Sequence, residues 1–186
     1  MSHTAFFYGT LMAPQVLHRV IWGNTNPPQI QKDILHIRPA ILHKFRRHKV
    51  RFADYPAIVP ANSTGSVRGT LVTGLTDGDI WRLDIFEGDE YERIKVKVRV
   101  LEQKEEGMGD VELKEEDNVE GEEVEAEVYA WIAGKNRLEP EEWDFGEFVR
   151  EKLHRWAGRE AEDVDSGFQG RQSIIGVFGR LVDGVG

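Results

Sequence analysis

The chain contains no cysteine among its 186 residues, which removes disulfides, thiol nucleophiles and thiolate metal sites together. It has no apolar run approaching roughly 18 residues, so no membrane-spanning helix is expected. The N-terminus enters Ala5-Phe6-Phe7-Tyr8 with neither a basic region nor a cleavage-like segment, and no signal peptide is expected. The glycine fingerprints of phosphate loops and dinucleotide folds are absent, as is any recognisable Ser/His/Asp arrangement or internal repeat. What remains, 40% apolar, is long enough for one well-formed core and short for two. The simplest reading is a soluble cytoplasmic protein.

The formal net charge of −9 is local in origin. Residues 102 to 127 hold 13 acidic residues against Lys104 and Lys114, which leaves the remainder of the chain slightly basic. An acidic docking surface is one reading. The other, which we adopt, is a solvated loop over 103–121 with too little apolar content to fold by itself. Its flanks support this. Ile94, Val96, Val98 and Val100 alternate with Arg93, Lys95, Lys97 and Arg99. Val124, Ala126, Val128, Ala130 and Ile132 alternate with Glu123, Glu125, Glu127, Tyr129 and Trp131. Two such strands make a long hairpin whose basic and acidic faces neutralise each other. An uncompensated basic face is what nucleic-acid binding would need, so no nucleic-acid partner is expected.

His36, His43 and His48 invite a metal reading, but they lack the spacing of a ligand set, and Arg38, Lys44, Arg46 and Arg47 around them point to a basic surface. No metal site is expected. Elsewhere, a strand is expected over 4–8 and a helix over 14–22, with Pro14 in its first turn and Val16, Leu17, Val20 and Ile21 as its apolar stripe. Residues 24–28 read as a turn-rich connector. Further strands are expected around 34–46, 48–52, 56–59 and 67–75, and a helix over about 140–157. From about 158 the chain becomes glycine-rich and irregular. The expected organisation is one domain over 1–158 with the acidic loop inserted in a hairpin, followed by a C-terminal tail over 159–186.

Two short stretches carry the functional signal. Phe7-Tyr8-Gly9-Thr10-Leu11-Met12 places glycine and threonine directly after an apolar run, where a strand opens into a loop with exposed backbone N–H groups. In the second stretch, Leu83 to Arg93, a short helix ends at Gly88. Thr76 reads as its cap, with Asp79 three positions on. Ile80, Leu83 and Glu87 then fall on one face, which must look inward. A carboxylate there loses hydration close to the negative end of the helix, and both effects favour the protonated form, as a general base near neutrality requires. Asp84, earlier in the helix and nearer the face's edge, is the weaker candidate. Spacing alone leaves open that Glu87 is a solvated helix-end residue and that Tyr8-Gly9-Thr10 is a plain turn. Taken together, the stretches point to a small anionic substrate held by a backbone loop and attacked with help from one carboxylate.

Four blocks, Phe7-Tyr8-Gly9-Thr10-Leu11, Tyr55 to Pro60, Val67 to Leu71 and Leu83 to Arg93, resemble the gamma-glutamylcyclotransferase-like superfamily, in particular its branch named after plant avirulence-induced genes. The resemblance covers roughly residues 4 to 133. It implies an α+β fold, a small mixed β-barrel flanked by helices, with a cavity between the Tyr-Gly-Thr-Leu loop and the glutamate. It implies Glu87 as the catalytic acid/base and a γ-glutamyl group held by Tyr8, Gly9, Thr10 and Leu11, with Tyr91 near the pocket. It implies an acyltransferase or lyase reaction that releases 5-oxoproline and needs no metal or cofactor. A binding module that keeps the pocket without turnover, or a different acid/base reaction in the same cavity, stays open. The leaving amine and the oligomeric state are not fixed by these residues.

Overall fold

The computed structural model describes residues 1–102 and 119–158. The acidic segment 103–118 and the expected C-terminal tail lie outside the described residues. The barrel is built from five strands: β1 (Ser2–Phe7), β5 (Ser66–Thr76), β2 (His36–His43), β6 (Tyr91–Glu102) and β7 (Val119–Trp131), closed in that order. All pairings are antiparallel except the closure, where β1 meets β7 in parallel at Ala5 and Glu127. Two shorter strands, β3 (Phe45–Lys49) and β4 (Pro56–Pro60), form a separate ribbon. Helices α1 (Pro14–Trp22) and α3 (Asp77–Glu87) pack against each other, with α2 (Gln29–Lys32) between α1 and β2 in the chain, and α4 (Phe145–Glu151) and α5 (Leu153–Ala157) follow β7. The expected mixed barrel with flanking helices is the fold observed.

Burial follows from the strand patterns. Phe6, Leu42, Leu71, Val98, Val100, Ala126 and Val128 form one cluster, and Phe7, Val72 and Leu75 join Val16, Leu17, Ile21, Ile80 and Leu83 of the two helices in a second. Adjacent Leu71 and Val72 are both fully buried, because β5 is covered on both faces there. Gly69 lets the strands approach: a Cβ would sit 2.2 Å from the Phe7 carbonyl oxygen and 2.7 Å from the Phe6 ring.

The start of α3 is as expected. The Asp79 N–H donates to Thr76 Oγ1 at 3.2 Å and the Thr76 N–H donates back to Asp79 Oδ2 at 2.9 Å, a reciprocal capping box. Thr76→Ala should cost about 1 kcal/mol and lower the melting temperature by roughly 2–4 °C, read by thermal unfolding. A shift of zero would mean that packing alone starts the helix.

Four expectations are corrected. The strand over 34–46 is split at Lys44, whose φ of 65° turns the chain out of the barrel into the β3–β4 ribbon. The strand over 48–52 ends at Lys49, because Val50 bridges to Leu138 and Phe52 turns with φ 59°. Val119, Glu120 and Gly121 belong to β7 and extend the hairpin into what was read as loop. The helix over 140–157 becomes two short ones. Backbone groups of Glu139 and Glu141 pair with Lys49 on β3 (2.9 and 3.1 Å), so Pro140 lies in an extended segment. The chain then breaks again at Lys152, with φ −119°.

That second break brings Trp156 inward. Its Nε1–H donates to Asp54 Oδ2 (3.1 Å), beside Arg155 Nη2 on the same oxygen (2.9 Å), while Trp143 Nε1–H donates to the Asp54 carbonyl (2.7 Å). The other side of the Trp156 ring packs edge-on against Phe86, with 6.2 Å between centroids.

Along the hairpin, Lys95 pairs with Glu125 (3.2 Å), Lys97 with Glu123 (3.1 Å) and Arg99 with Glu123 (3.5 Å). The basic ladder is thus matched within the fold. These exposed pairs add little stability, each in the range of about 0–1 kcal/mol.

Candidate active site

At one end of β1 the chain opens into Tyr8 and Gly9 and then a single 3-10 turn, Thr10–Met12, closed by the Met12 N–H on the Gly9 carbonyl (2.9 Å). The N–H groups of Thr10 and Leu11 precede that bond and have no acceptor within the turn. Gly9 has φ −130°, so positive φ is not what demands glycine here. The constraint is proximity: a Cβ would stand 2.8 Å from both Cγ and Cδ of Pro56.

Across from this loop stands the C-terminal end of α3. Ile80 and Leu83 are buried as expected, and Glu87, half-buried, shares a narrow cleft with Tyr8, Gly9, Thr10, Leu11, Tyr55, Pro56 and Tyr129. The cleft holds about 30 Å³, room for one or two waters, against about 310 Å³ for the hollow beside Lys49, Asp54 and Trp143. Chemistry favours the smaller space, since only there does a carboxylate face a loop of backbone donors. Tyr91 does not line it. Its hydroxyl donates to the Pro56 carbonyl (2.8 Å), which places it behind the proline that abuts Gly9.

Three tyrosines crowd Glu87. Burial pushes the Tyr8, Tyr91 and Tyr129 hydroxyls well above the usual phenol range, and the nearby Glu87 charge pushes each further. All three therefore stay protonated at neutral pH. Tyr8 donates to the Tyr129 carbonyl (2.6 Å) and Tyr129 to Asp84 Oδ1 (2.8 Å). Asp84, the weaker carboxylate in the sequence, is thus a structural acceptor. Arg93 grips it through Nε (2.9 Å) and Nη2 (3.2 Å) and also pairs with Glu127.

Two lining or supporting residues escape sequence reasoning. Tyr129 sits in the register of the glutamates of β7, yet it is only 4% exposed, because α3 and the cleft cover that end of the strand. The signal was there: Glu123, Glu125 and Glu127 give way to Tyr129 and Trp131 on the same parity. Arg47, read as basic surface, is mostly covered, with its side chain 11% exposed. Its Nη1 donates to the Tyr8 and Arg68 carbonyls (2.9 and 3.2 Å) and its Nη2 to Glu142 (3.0 Å), so it anchors the loop from below. The histidines scatter, with His43 on Glu120 (2.8 Å) and His48 on the Glu139 carbonyl (2.8 Å).

Residues 5–145 match the model of a family described as "Gamma-glutamyl cyclotransferase, AIG2-like". The chain belongs to this family. Among curated relatives, Protein AIG2 C of Arabidopsis thaliana is 33% identical over 150 residues, covering 79% of this chain and 72% of the relative. AIG2-like protein B of the same plant is 30% identical over 151 residues, covering 80% and 70%. Two Arabidopsis thaliana proteins with known solution structures share the fold. One has a TM-score of 0.53 at 25% identity, covering 100% of this chain and 96% of that one. The other has 0.51 at 27%, covering 89% and 88%. The family match includes the Tyr8–Leu11 loop, Glu87, Tyr129 and Arg47, and ends before α5. No described helix is long and apolar enough to cross a membrane.

Proposed function

We propose that the protein is a γ-glutamylcyclotransferase-type enzyme acting on a small γ-glutamyl compound, with Glu87 as general acid/base. The observation that carries this reading is a carboxylate held on a helix end directly across a narrow cleft from backbone donors of the Tyr8–Leu11 loop. In the reaction, the Thr10 and Leu11 N–H groups hold the anionic part of the substrate. Glu87 takes a proton from the α-ammonium, and the freed amine attacks its own γ-carbonyl carbon. A five-membered ring closes, the bond to the departing nitrogen breaks as Glu87 hands it the first proton, and the ring nitrogen then gives up its second proton through Glu87 to the released amine, leaving 5-oxoproline and an ammonium. As written, the step balances without metal or cofactor.

Intramolecular attack explains how so few groups suffice, since well-oriented neighbours reach effective concentrations on the order of 10⁵–10⁸ M. A cleft of about 30 Å³ must widen to admit a γ-glutamyl group, and Tyr55, Gly9 and Glu87 are its partly exposed lining residues. Incubation with a panel of γ-glutamyl amines and peptides, with 5-oxoproline measured by chromatography, tests the reading. Release from at least one compound is the expected result. Binding of those compounds without release would make the cleft a binding module instead.

A further inference from the structure

The hollow beside Lys49, Asp54 and Trp143 shares no lining residue with the cleft. It holds about 310 Å³, the size of a small-molecule site. Its floor is aromatic, with Trp143 and Phe148 buried there and 5.6 Å between their ring centroids. Trp143 offers no polar hydrogen to the hollow, because its Nε1–H donates to the Asp54 carbonyl (2.7 Å). A cation, the Arg47 guanidinium, already lies over its ring. Phe52 stands on the rim, fully exposed, where the chain turns with φ 59°. What this lining offers an occupant is flat apolar contact.

The charges around it come as two stretched pairs. Lys49 Nζ lies 3.5 Å from Glu147 Oε2, and Lys152 Nζ lies 3.9 Å from Asp54 Oδ1. Fully formed contacts of this kind close to about 2.7–2.9 Å. Asp54 is held through its other oxygen, Oδ2, by Arg155 (2.9 Å) and Trp156 (3.1 Å), which leaves Oδ1 for a further donor. A ligand of one sign would take one member of a loose pair and leave the other unmatched. A zwitterion gives both members a new partner.

We propose that this hollow binds a free α-amino acid with an aromatic side chain. Its ammonium takes Asp54 Oδ1 and its carboxylate takes Lys152, while the Lys49–Glu147 pair offers the same two charges a second set of partners. Its ring lies on the Trp143–Phe148 floor against Phe52. Glu147, Phe148 and Lys152 lie past residue 145, so the hollow extends beyond the family match, and the inference does not depend on the γ-glutamyl reading. Asp54 immediately precedes Tyr55 of the cleft lining, so the two sites share one stretch of chain.

The experiment follows the indole N–H signals of the full chain by NMR while L-phenylalanine is added. Trp143 and Trp156 both donate to Asp54, so their signals report on the hollow, and those of Trp22 and Trp81 serve as controls. Both reporters are expected to shift saturably, with a Kd of about 1 mM, while the controls stay still. Phenylpropionate, which lacks the ammonium, and phenethylamine, which lacks the carboxylate, are each expected to bind about tenfold more weakly, as loss of a charge-assisted hydrogen bond implies. In the double variant Lys49→Met, Lys152→Met, whose replaced side chains are partly exposed, L-phenylalanine and phenethylamine should come to within about twofold of each other. Reporters that do not move at about 10 mM L-phenylalanine would overturn the site. Analogues that match L-phenylalanine in the parent would overturn the zwitterion, a comparison that needs no variant. A preference over phenethylamine that persists in the folded double variant would overturn the placement in this hollow.

Discussion

Glu87→Gln is expected to abolish 5-oxoproline release while leaving the protein folded. Glutamine preserves the shape and the capacity to accept a hydrogen bond but cannot carry a proton between two nitrogens. A positioned acid/base contributes typically 10²–10⁴-fold, and here one group serves both halves of the reaction, so a loss of at least about 10³-fold is expected. The measurement is the rate of 5-oxoproline formation on a variant whose circular dichroism and melting curve match the parent's. Parent-level turnover in such a variant would sink the mechanism. A collapse in stability would instead assign Glu87 a structural part at the end of α3.

The second large effect is expected at Gly9. Valine there would drive its Cβ to within 2.8 Å of the Pro56 ring. Pro56 cannot easily yield, because it is buried, paired with Lys49 across the ribbon, and held through its carbonyl by Tyr91 (2.8 Å). The loop must move instead, taking the Thr10 and Leu11 N–H groups with it. Overpacking of this kind costs roughly 1–3 kcal/mol, and a displacement near 1 Å at a binding loop can cost on the order of a hundredfold in rate. Gly9→Val should therefore lose affinity for 5-oxoproline by calorimetry, whereas conservative changes at His36 or His43 should leave it intact. Parent-like affinity in folded Gly9→Val would mean that the segment is an ordinary turn and that the ligand sits elsewhere.

Helix α1 was readable to the residue, because Pro14 opens it and Gly23 (φ 68°) ends it, both local devices. The same holds for α3, where Thr76 and Asp79 carry their own start signal. The hairpin ladder was readable because charge alternates with apolar residues along both strands. The end of the chain was not. Its pattern of Trp143, Phe148, Leu153 and Trp156 fits a continuous helix, but residues 139–141 are captured by the backbone of β3, a long-range competition that no local pattern records. Within the cleft, the motif residues Tyr8 to Leu11 and Glu87 were legible and are brought together. Arg47 and Tyr129 were not, since each gains its role from a segment distant in sequence: the Tyr8 carbonyl for one, Asp84 on α3 for the other.

Trp156 lies eleven residues past residue 145, where the match to the family model ends. Yet one face of its ring leans on Phe86, the neighbour of Glu87, while its nitrogen reaches Asp54, two positions before Pro56. A single indole thus spans both jaws of the cleft and sets their separation like a shim. A change at this terminal helix is expected to alter the width of the opening with every motif residue unchanged.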